Sequence, residues 1–169
     1  MPRIVSVFPL SLAAQSRRTA SAGFAIPAEV YTFGVSESVR VMASVLAQLD
    51  AIAREHADKE CCGLLAARSG VITMALPAVN ALASATAYEI APRELFALFR
   101  RIRAARFEFA GIYHSHPSTD NAPSPRDIEF AFYSDAAYFI LSPRAIAIAP
   151  VRAFTIRAGR ATELDIIAV

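Results

Sequence analysis

The spacing of hydrophobic positions divides the chain into an irregular first part and a patterned remainder. Residues 1–37 are rich in Ser, Ala and Arg, contain three prolines and show no sustained periodicity. We interpret them as an N-terminal extension without stable order, holding at most a short strand at 30–33. Residues 38–169 carry the alternations and stripes of packed elements, so we expect one domain there.

Apolar residues at helical spacing predict three helices in this domain. The first covers residues 44–57, and the second begins at Pro92, where a proline suits the first turn. The third opens at Ser124 and runs towards residue 134. The apolar stripes of the first two helices are formed by Val45, Leu46, Leu49, Ile52, Ala53, Leu95, Phe96, Phe99 and Ile102.

Short runs rich in β-branched and aromatic residues predict strands between the helices. They cover residues 39–42, 61–66, 71–79, 109–113, 138–141, 145–149, 152–156 and 164–167. The Ser69-Gly70 turn makes the second and third of these a hairpin, and residues 80–90 form a loop. Strands mixed with helices predict an α/β layered domain, a mixed β-sheet flanked by three helices.

Composition narrows the class of protein. The 169 residues are 55% hydrophobic and 19% charged, which is typical of a globular chain with one core. No apolar run approaches the roughly 18 residues of a membrane span, so we expect no membrane association. Cys61 and Cys62 are neighbours on one predicted strand and point to opposite faces, which disfavours a disulfide between them. A reducing, cytoplasmic location is therefore the default expectation.

The charge pattern is modest apart from one cluster. The net charge is only +2, but Arg100, Arg101, Arg103 and Arg106 gather on the second predicted helix. Such a cluster is ordinarily a solvated helix face. An acidic protein partner fits it better than nucleic acid, which we do not expect this chain to bind.

Two of the three histidines stand two residues apart where a predicted strand ends. His114 and His116 therefore project from the same face, an arrangement that supplies half of a tetrahedral zinc site. On its own the pair is equally consistent with polar residues at a strand end. His56, the third histidine, has no partner at such spacing, and we interpret it as a helix-end residue.

An aspartate after this pair adds a third candidate ligand. Ser124, Pro125 and Asp127 occupy the positions of an N-cap, a first-turn proline and an N3 acid, so the motif could serve only to cap a helix. The two roles are compatible, because a first-turn carboxylate facing the histidines could also bind metal. Three protein ligands with a fourth position for water is the pattern of catalytic zinc.

These residues together resemble a known signature. The run from His114 to Pro117, followed by Ser124 and Asp127, is similar to H-x-H-P-x6-S-x2-D of the JAMM (MPN-type) zinc metallopeptidases. Upstream, the sequence ECCGLL that begins at Glu60 resembles the glutamate-bearing strand of that family. The resemblance covers residues 38–169 and is nearest to the compact prokaryotic branch.

The resemblance implies a fold and a set of roles. The fold would be cytidine-deaminase-like, although the H-x-E and P-C-x-x-C motifs that zinc deaminases need are missing. One catalytic zinc would be bound by His114, His116 and Asp127. Glu60 would be the general base that activates the attacking water, and Ser124 would steady the oxyanion.

The same resemblance suggests a reaction and leaves an alternative open. We expect a peptidase or isopeptidase that cuts after the C-terminal Gly-Gly of a small ubiquitin-like or sulfur-carrier protein. The alternative is a non-catalytic MPN-type scaffold or dimerisation module, and a homodimer is compatible with either. Scaffolds usually lack part of the ligand set, so the five filled positions favour the enzyme.

Overall fold

A computed structural model describes residues 37–169, and all but the last residue of the predicted extension, with its possible strand at 30–33, lies outside the described residues. Seven strands and three helices follow one another along the chain. They are β1 (Ser38–Val41), α1 (Ala43–Glu55), β2 (Cys62–Arg68), β3 (Val71–Ala78), α2 (Pro92–Ala104), β4 (Glu108–Ser115), α3 (Pro125–Glu129), β5 (Ala137–Leu141), β6 (Val151–Arg157) and β7 (Arg160–Ala168).

The strands form one mixed sheet that closes on itself. Their order is β1-β3-β2-β4-β5-β6-β7, and β1 pairs in parallel with both β3 and β7. The predicted Ser69-Gly70 hairpin is confirmed by the antiparallel pairing of β2 with β3. The α/β class, the mixed sheet and the three helices are therefore confirmed, and closure through β1 is the feature that periodicity did not predict.

The sheet is buried on both of its faces, which explains why its central strands are almost continuously apolar. One core packs α1 against the sheet through Val45, Leu49 and Ala53. A second core packs α2 against the other side, where Leu98 and Ile102 are buried. Successive residues of β2 alternate between the two cores, as the period of a strand requires.

A glycine in β2 allows this sheet to pack tightly. A Cβ added at Gly63 would collide with the Leu76 carbonyl oxygen and would lie 2.6 Å from the Tyr113 ring. Tyr113 is fully buried on the neighbouring strand β4. The glycine of the ECCGLL sequence therefore leaves room for that ring.

The third helix is shorter than its sequence suggests. It was expected to run towards residue 134, but α3 ends at Glu129 and buries none of its residues. The backbone N–H of Tyr133 donates to the Tyr138 hydroxyl at 2.9 Å, so a side chain takes a hydrogen that a longer helix would use internally. The hydrogen bond of Phe132 N–H to the Phe130 carbonyl at 3.0 Å is likewise non-helical, so the backbone after Glu129 follows a different local hydrogen-bond pattern.

The strand predicted at 145–149 was wrong. Residues 143–150 form the connection between β5 and β6, and Ser142 N–H donates to the Pro150 carbonyl at 2.9 Å where the two strands meet. Ile146 and Ile148 are 80% and 83% exposed. Apolar alternation without a neighbouring strand cannot form a ladder, so this segment stays a loop.

Five strands, β2, β4, β5, β6 and β7, are longer than predicted, and the extension of β4 matters for the site. β7 extends over Arg160–Ala168, and β4 continues to Ser115 instead of stopping at Tyr113. His114 consequently lies inside the sheet, paired with Cys62 of β2 and with Ile140 of β5. The crossover from β4 to the parallel strand β5 then carries residues 116–136, including α3.

Candidate metal and catalytic site

The two histidines are held at the carboxyl end of β4. His114 is 1% exposed and His116 is 5% exposed, and their Nε2 atoms are 3.1 Å apart. Ser115 between them points away, where its hydroxyl accepts a hydrogen bond from Cys61 N–H at 2.9 Å. Strand alternation therefore turns both imidazoles toward one point.

Asp127 meets both imidazoles from the first turn of α3. Its Oδ1 lies 3.2 Å from His114 Nε2, and its Oδ2 lies 3.3 Å from His116 Nε2. The capping interaction expected from the sequence is also present. Ser124 Oγ accepts from Asp127 N–H at 3.2 Å, while Asp127 Oδ2 accepts from Ser124 N–H at 2.7 Å. One aspartate therefore caps the helix and faces the histidines.

The three groups have the chemistry and spacing of a zinc site. Two imidazole nitrogens and a carboxylate are ligands that zinc accepts at about 2.0–2.1 Å, which places ligand atoms about 3.3 Å apart in a tetrahedron. The observed separations of 3.1, 3.2 and 3.3 Å match that value. Among residues 37–169, these three side chains form a group whose ligand atoms lie close enough together to hold one metal ion.

Each histidine ring is oriented by a different neighbour. His116 Nδ1 lies 2.7 Å from the Asp120 carbonyl oxygen, which fixes a hydrogen on Nδ1 and leaves Nε2 free to bind a cation. The His114 ring stacks on Tyr88, with 4.6 Å between ring centroids and 22° between planes. Its Nδ1 has no hydrogen-bond partner among the residues described.

The titratable side chains of the site have pKa values shifted from their ordinary ones. Burial acts to raise the pKa of Asp127, but hydrogen bonds with His114 and His116 outweigh it and hold the value well below the usual range. Burial lowers the pKa of His114. Burial also acts to lower the pKa of His116, yet its hydrogen bonds with Asp127 and the Asp120 carbonyl raise it overall. The carboxylate is therefore ionised and ready to bind a cation.

Glu60 lies beside this cluster through the pairing of β2 with β4. Its carboxylate is 5% exposed and lines the same cavity as His116, Ser124 and Asp127. Burial raises the pKa of Glu60 to about 7, with His116 and Asp127 acting in opposite directions. A carboxyl group that titrates near neutrality can both accept and release a proton under ordinary conditions.

An asparagine absent from the expected site fixes the surroundings of Glu60. The Asn80 side chain donates to the Glu60 carbonyl and to the Ala87 carbonyl, both at 3.0 Å. Its Oδ1 accepts from Leu82 N–H at 3.0 Å and Glu89 N–H at 3.2 Å. Asn80 therefore joins the start of the glutamate strand to the loop that carries Tyr88. Its only sequence signal is its place after a predicted strand.

A second asparagine supports the loop after His116. Asn121 is fully buried and donates through its amide to the Ile140 carbonyl at 3.3 Å and the Ala149 carbonyl at 2.8 Å. It directly follows Asp120, whose carbonyl orients His116. Nothing in the sequence distinguishes this asparagine from an ordinary loop residue.

A cavity of about 200 Å³ opens at the cluster. Of the five residues that the sequence predicts for the site, four line this cavity: Glu60, His116, Ser124 and Asp127. The rest of its wall is mostly apolar and includes Tyr88, Ile90, Leu95, Ile112, Phe130 and Tyr133. A cavity that combines ionisable side chains with a mostly apolar wall suits a peptide segment whose reacting bond lies beside those ionisable groups.

Known proteins with similar sequences share this region. Residues 42–157 match the family model described as prokaryotic homologs of the JAB domain. A desampylase of Haloferax volcanii is 39% identical over 87 residues, which is 50% of this chain and 63% of that protein, just under two thirds of its length. A CysO-cysteine peptidase of Mycobacterium tuberculosis is 34% identical over 112 residues, 65% of this chain and 76% of that protein.

Solved structures share the fold. A protein from Desulfitobacterium hafniense superimposes with a TM-score of 0.69 at 26% identity, covering 78% of this chain and 92% of that one. A JAB1/MPN domain protein from Archaeoglobus fulgidus superimposes with a TM-score of 0.52 at 15% identity, covering 78% and 99%. None of the helices within residues 37–169 is long and apolar enough to cross a bilayer.

Proposed function

The chain belongs to the prokaryotic JAB-domain family, and from that premise we propose that it is a zinc-dependent peptidase or isopeptidase. Its substrate would be a small ubiquitin-like or sulfur-carrier protein, cut after the C-terminal glycine. The observation that carries the proposal is the convergence of His114 Nε2, His116 Nε2 and the Asp127 carboxylate within 3.1–3.3 Å of one another, with a buried glutamate in the same cavity.

The proposed chemistry begins with the metal. His114, His116 and Asp127 would hold one zinc ion, which when bound supplies a Lewis acid for water and for the scissile carbonyl. Glu60 takes the proton of the attacking water and passes it to the leaving amine. Its pKa of about 7 suits both transfers.

Ser124 has a donor available for the oxyanion in this scheme. Its Oγ accepts a hydrogen bond from Asp127 N–H, so the hydroxyl hydrogen itself remains free to donate. Such a donor typically lowers the barrier by about 3 kcal/mol.

Two names among the relatives support the substrate class. One relative is named a desampylase and the other a CysO-cysteine peptidase. A glycine-rich C-terminal tail fits a narrow cavity, because residues without side chains can lie close to its walls.

The test compares a defined substrate with a generic one. Zinc-loaded protein is incubated with a fusion in which a ubiquitin-like protein is joined through its C-terminal Gly-Gly to a reporter, and separately with unfolded casein. We expect cleavage of the fusion after the second glycine, much slower digestion of casein, and loss of both with EDTA. Glu60→Gln serves as the inactive control.

Two outcomes would contradict the proposal in different ways. Chelator-sensitive digestion of casein with the fusion intact would reject the substrate class while leaving a zinc peptidase. Zinc binding with no cleavage of either protein would favour the non-catalytic scaffold.

A further inference from the structure

The exposed side of α2 carries a line of arginines around one phenylalanine. Arg93, Phe96, Arg100 and Arg103 are spaced by three, four and three residues, so they lie on one face of the helix. All four are exposed, and Phe96 retains 60% of its surface. We call these four residues the α2 stripe.

No arginine of the α2 stripe lies within 4 Å of a carboxylate in the part of the chain that the structure describes. Arg54, Arg152 and Arg157 each lie within 4 Å of a carboxylate, whereas no such pair involves α2. The one acid of α2, Glu94, accepts a hydrogen bond from Val79 N–H at 3.0 Å. Like charges on one helix face repel, so the stripe costs folding stability instead of adding to it.

The helix that carries the α2 stripe also contributes to the wall of the cavity, although the four stripe residues do not line it. Leu95, next to Phe96, lines that cavity. Phe99 lies on the same side of the helix as Phe96, and its ring centroid is 6.1 Å from that of Tyr133, another cavity residue. A protein whose tail entered the cavity would therefore bring its folded body near α2.

We propose that the α2 stripe is the docking surface for an acidic face of the ubiquitin-like substrate. This inference rests on the proposed function and adds the charge of the partner to it. Guanidinium groups bind carboxylates through paired hydrogen bonds, so Arg100 and Arg103 would recognise Asp or Glu side chains. Phe96 would contact an apolar residue among those acids, as aromatic residues do at the centres of interfaces.

The positive charge of the α2 stripe favours an acidic protein partner over the N-terminal segment or a second copy of this chain. The segment 1–36 of the same chain contains three arginines and one glutamate, so its net charge has the same sign as the stripe. A second copy would bring an identical basic helix. A single-stranded nucleic acid would satisfy the arginines, and it is therefore included as a competitor in the test.

The test measures binding separately from cleavage. Zinc-loaded Glu60→Gln is titrated against a fluorescently labelled ubiquitin-like protein of net negative charge ending in Gly-Gly, with anisotropy as the readout. In the Glu60→Gln protein, the added double substitution Arg100→Glu with Arg103→Glu should weaken binding by at least about tenfold. Without that double substitution, binding should weaken as the salt concentration rises. Phe96→Ala should weaken it severalfold without changing the salt dependence.

A matched control variant makes the same change in net charge at a different surface. Arg40→Glu with Arg160→Glu reverses two exposed arginines on β1 and β7 and should leave affinity within about twofold. Thermal melts establish that each variant is folded. If the double glutamate variant is unfolded, Arg100→Gln with Arg103→Gln removes the charges while keeping good helix formers.

The outcomes distinguish docking from catalysis. The proposed docking surface would be overturned if the Arg100/Arg103 and Arg40/Arg160 double variants lost affinity equally, or if neither lost affinity. Loss of affinity for a labelled single-stranded DNA without loss for the protein would overturn it as well. Docking that depends on the stripe while the Gly-Gly fusion stays uncut would reject the proposed hydrolysis only. Cleavage of the fusion with unchanged binding would reject docking only.

Discussion

Glu60 stands opposite His116 across two antiparallel strands. Cys62 pairs with His114. The next residues along continue this register, because Ser115 N–H donates to the Cys61 carbonyl at 3.0 Å and Cys61 N–H donates to the Ser115 hydroxyl at 2.9 Å. The same register places residue 60 beside residue 116. A candidate base and a candidate metal ligand are thus neighbours by strand pairing, although 56 positions separate them in the sequence. Both residues lie just beyond the paired ends of β2 and β4, so the register of these two strands sets their relative placement.

Metal binding should require the side chains of His114, His116 and Asp127 and should not require the third histidine of the chain. We expect purified protein to hold about one zinc per chain, and His116→Ala or Asp127→Ala to lose most of it, because two protein ligands hold zinc poorly. Elemental analysis and competition with a chromogenic chelator measure this. His56→Ala removes a histidine whose Nδ1 lies 3.0 Å from the Ile52 carbonyl, and it should keep the metal. Full zinc content in a His114→Ala, His116→Ala double variant would show that the site is elsewhere.

Glu60→Gln should separate binding of metal from hydrolysis. The amide has nearly the same shape but cannot accept the proton, so kcat on the Gly-Gly fusion should fall at least about a hundredfold with zinc retained. Glu55→Gln, at the exposed end of α1, should behave as wild type. Near-normal turnover by the Glu60 variant would mean that another group acts as the base.

Glu60 should also make the metal-free protein less stable as the pH rises. Its carboxyl pKa is raised from an ordinary 4.5 to about 7 in the folded state, so the folded state binds the proton more tightly than the unfolded state. This contribution to stability is complete below about pH 4.5 and is lost as the pH rises through about 7. Urea unfolding of chelated protein at pH 5 and pH 8 measures it.

Comparison with the glutamine variant isolates this effect. Glu60→Gln cannot ionise, so its free energy of unfolding relative to wild type should increase by about 1–3 kcal/mol between the two pH values. A constant difference between variant and wild type would show that the folded and unfolded states bind this proton equally.

Two substitutions at Ser124 should separate capping from catalysis. Ser124→Ala removes the N-cap of α3 and costs about 1 kcal/mol, while Ser124→Gly costs only a few tenths of that because glycine is tolerated at a cap. Both lack the hydroxyl, so both should lose hydrolysis by about a hundredfold. Melting curves and kcat are measured together. Activity that follows melting temperature across the two variants would assign Ser124 a purely structural role.

Asn80→Ala should loosen the site without touching a ligand. It removes four hydrogen bonds, three of them part-buried and one exposed, which typically costs about 1–3 kcal/mol in total. We expect faster amide hydrogen exchange at residues 81–89 and lower kcat, with zinc content unchanged. Asn121→Ala should instead speed exchange in residues 117–123 and weaken zinc binding. Identical exchange patterns in both variants would contradict these separate roles.

The sequence by itself determined where the three helices begin, most of the strands and most of the candidate residues. Helical periodicity located α1 to within two residues at each end and α2 at its Pro92 start, and the Ser69-Gly70 turn located the hairpin, because both signals are local. The spacing of His114, His116, Ser124 and Asp127 was enough to suggest a metal site, since strand alternation and helix capping act over a few residues.

Only the tertiary structure decided what depends on distant partners. The absence of a neighbouring strand within the described residues leaves 143–150 as a loop. The pairing of β2 with β4 sets Glu60 beside His116, and Asn80 and Asn121 gain their roles from carbonyls up to 28 positions away. Hydrogen bonds and packing between remote segments leave no periodic trace along the chain, so local patterns could not reveal them.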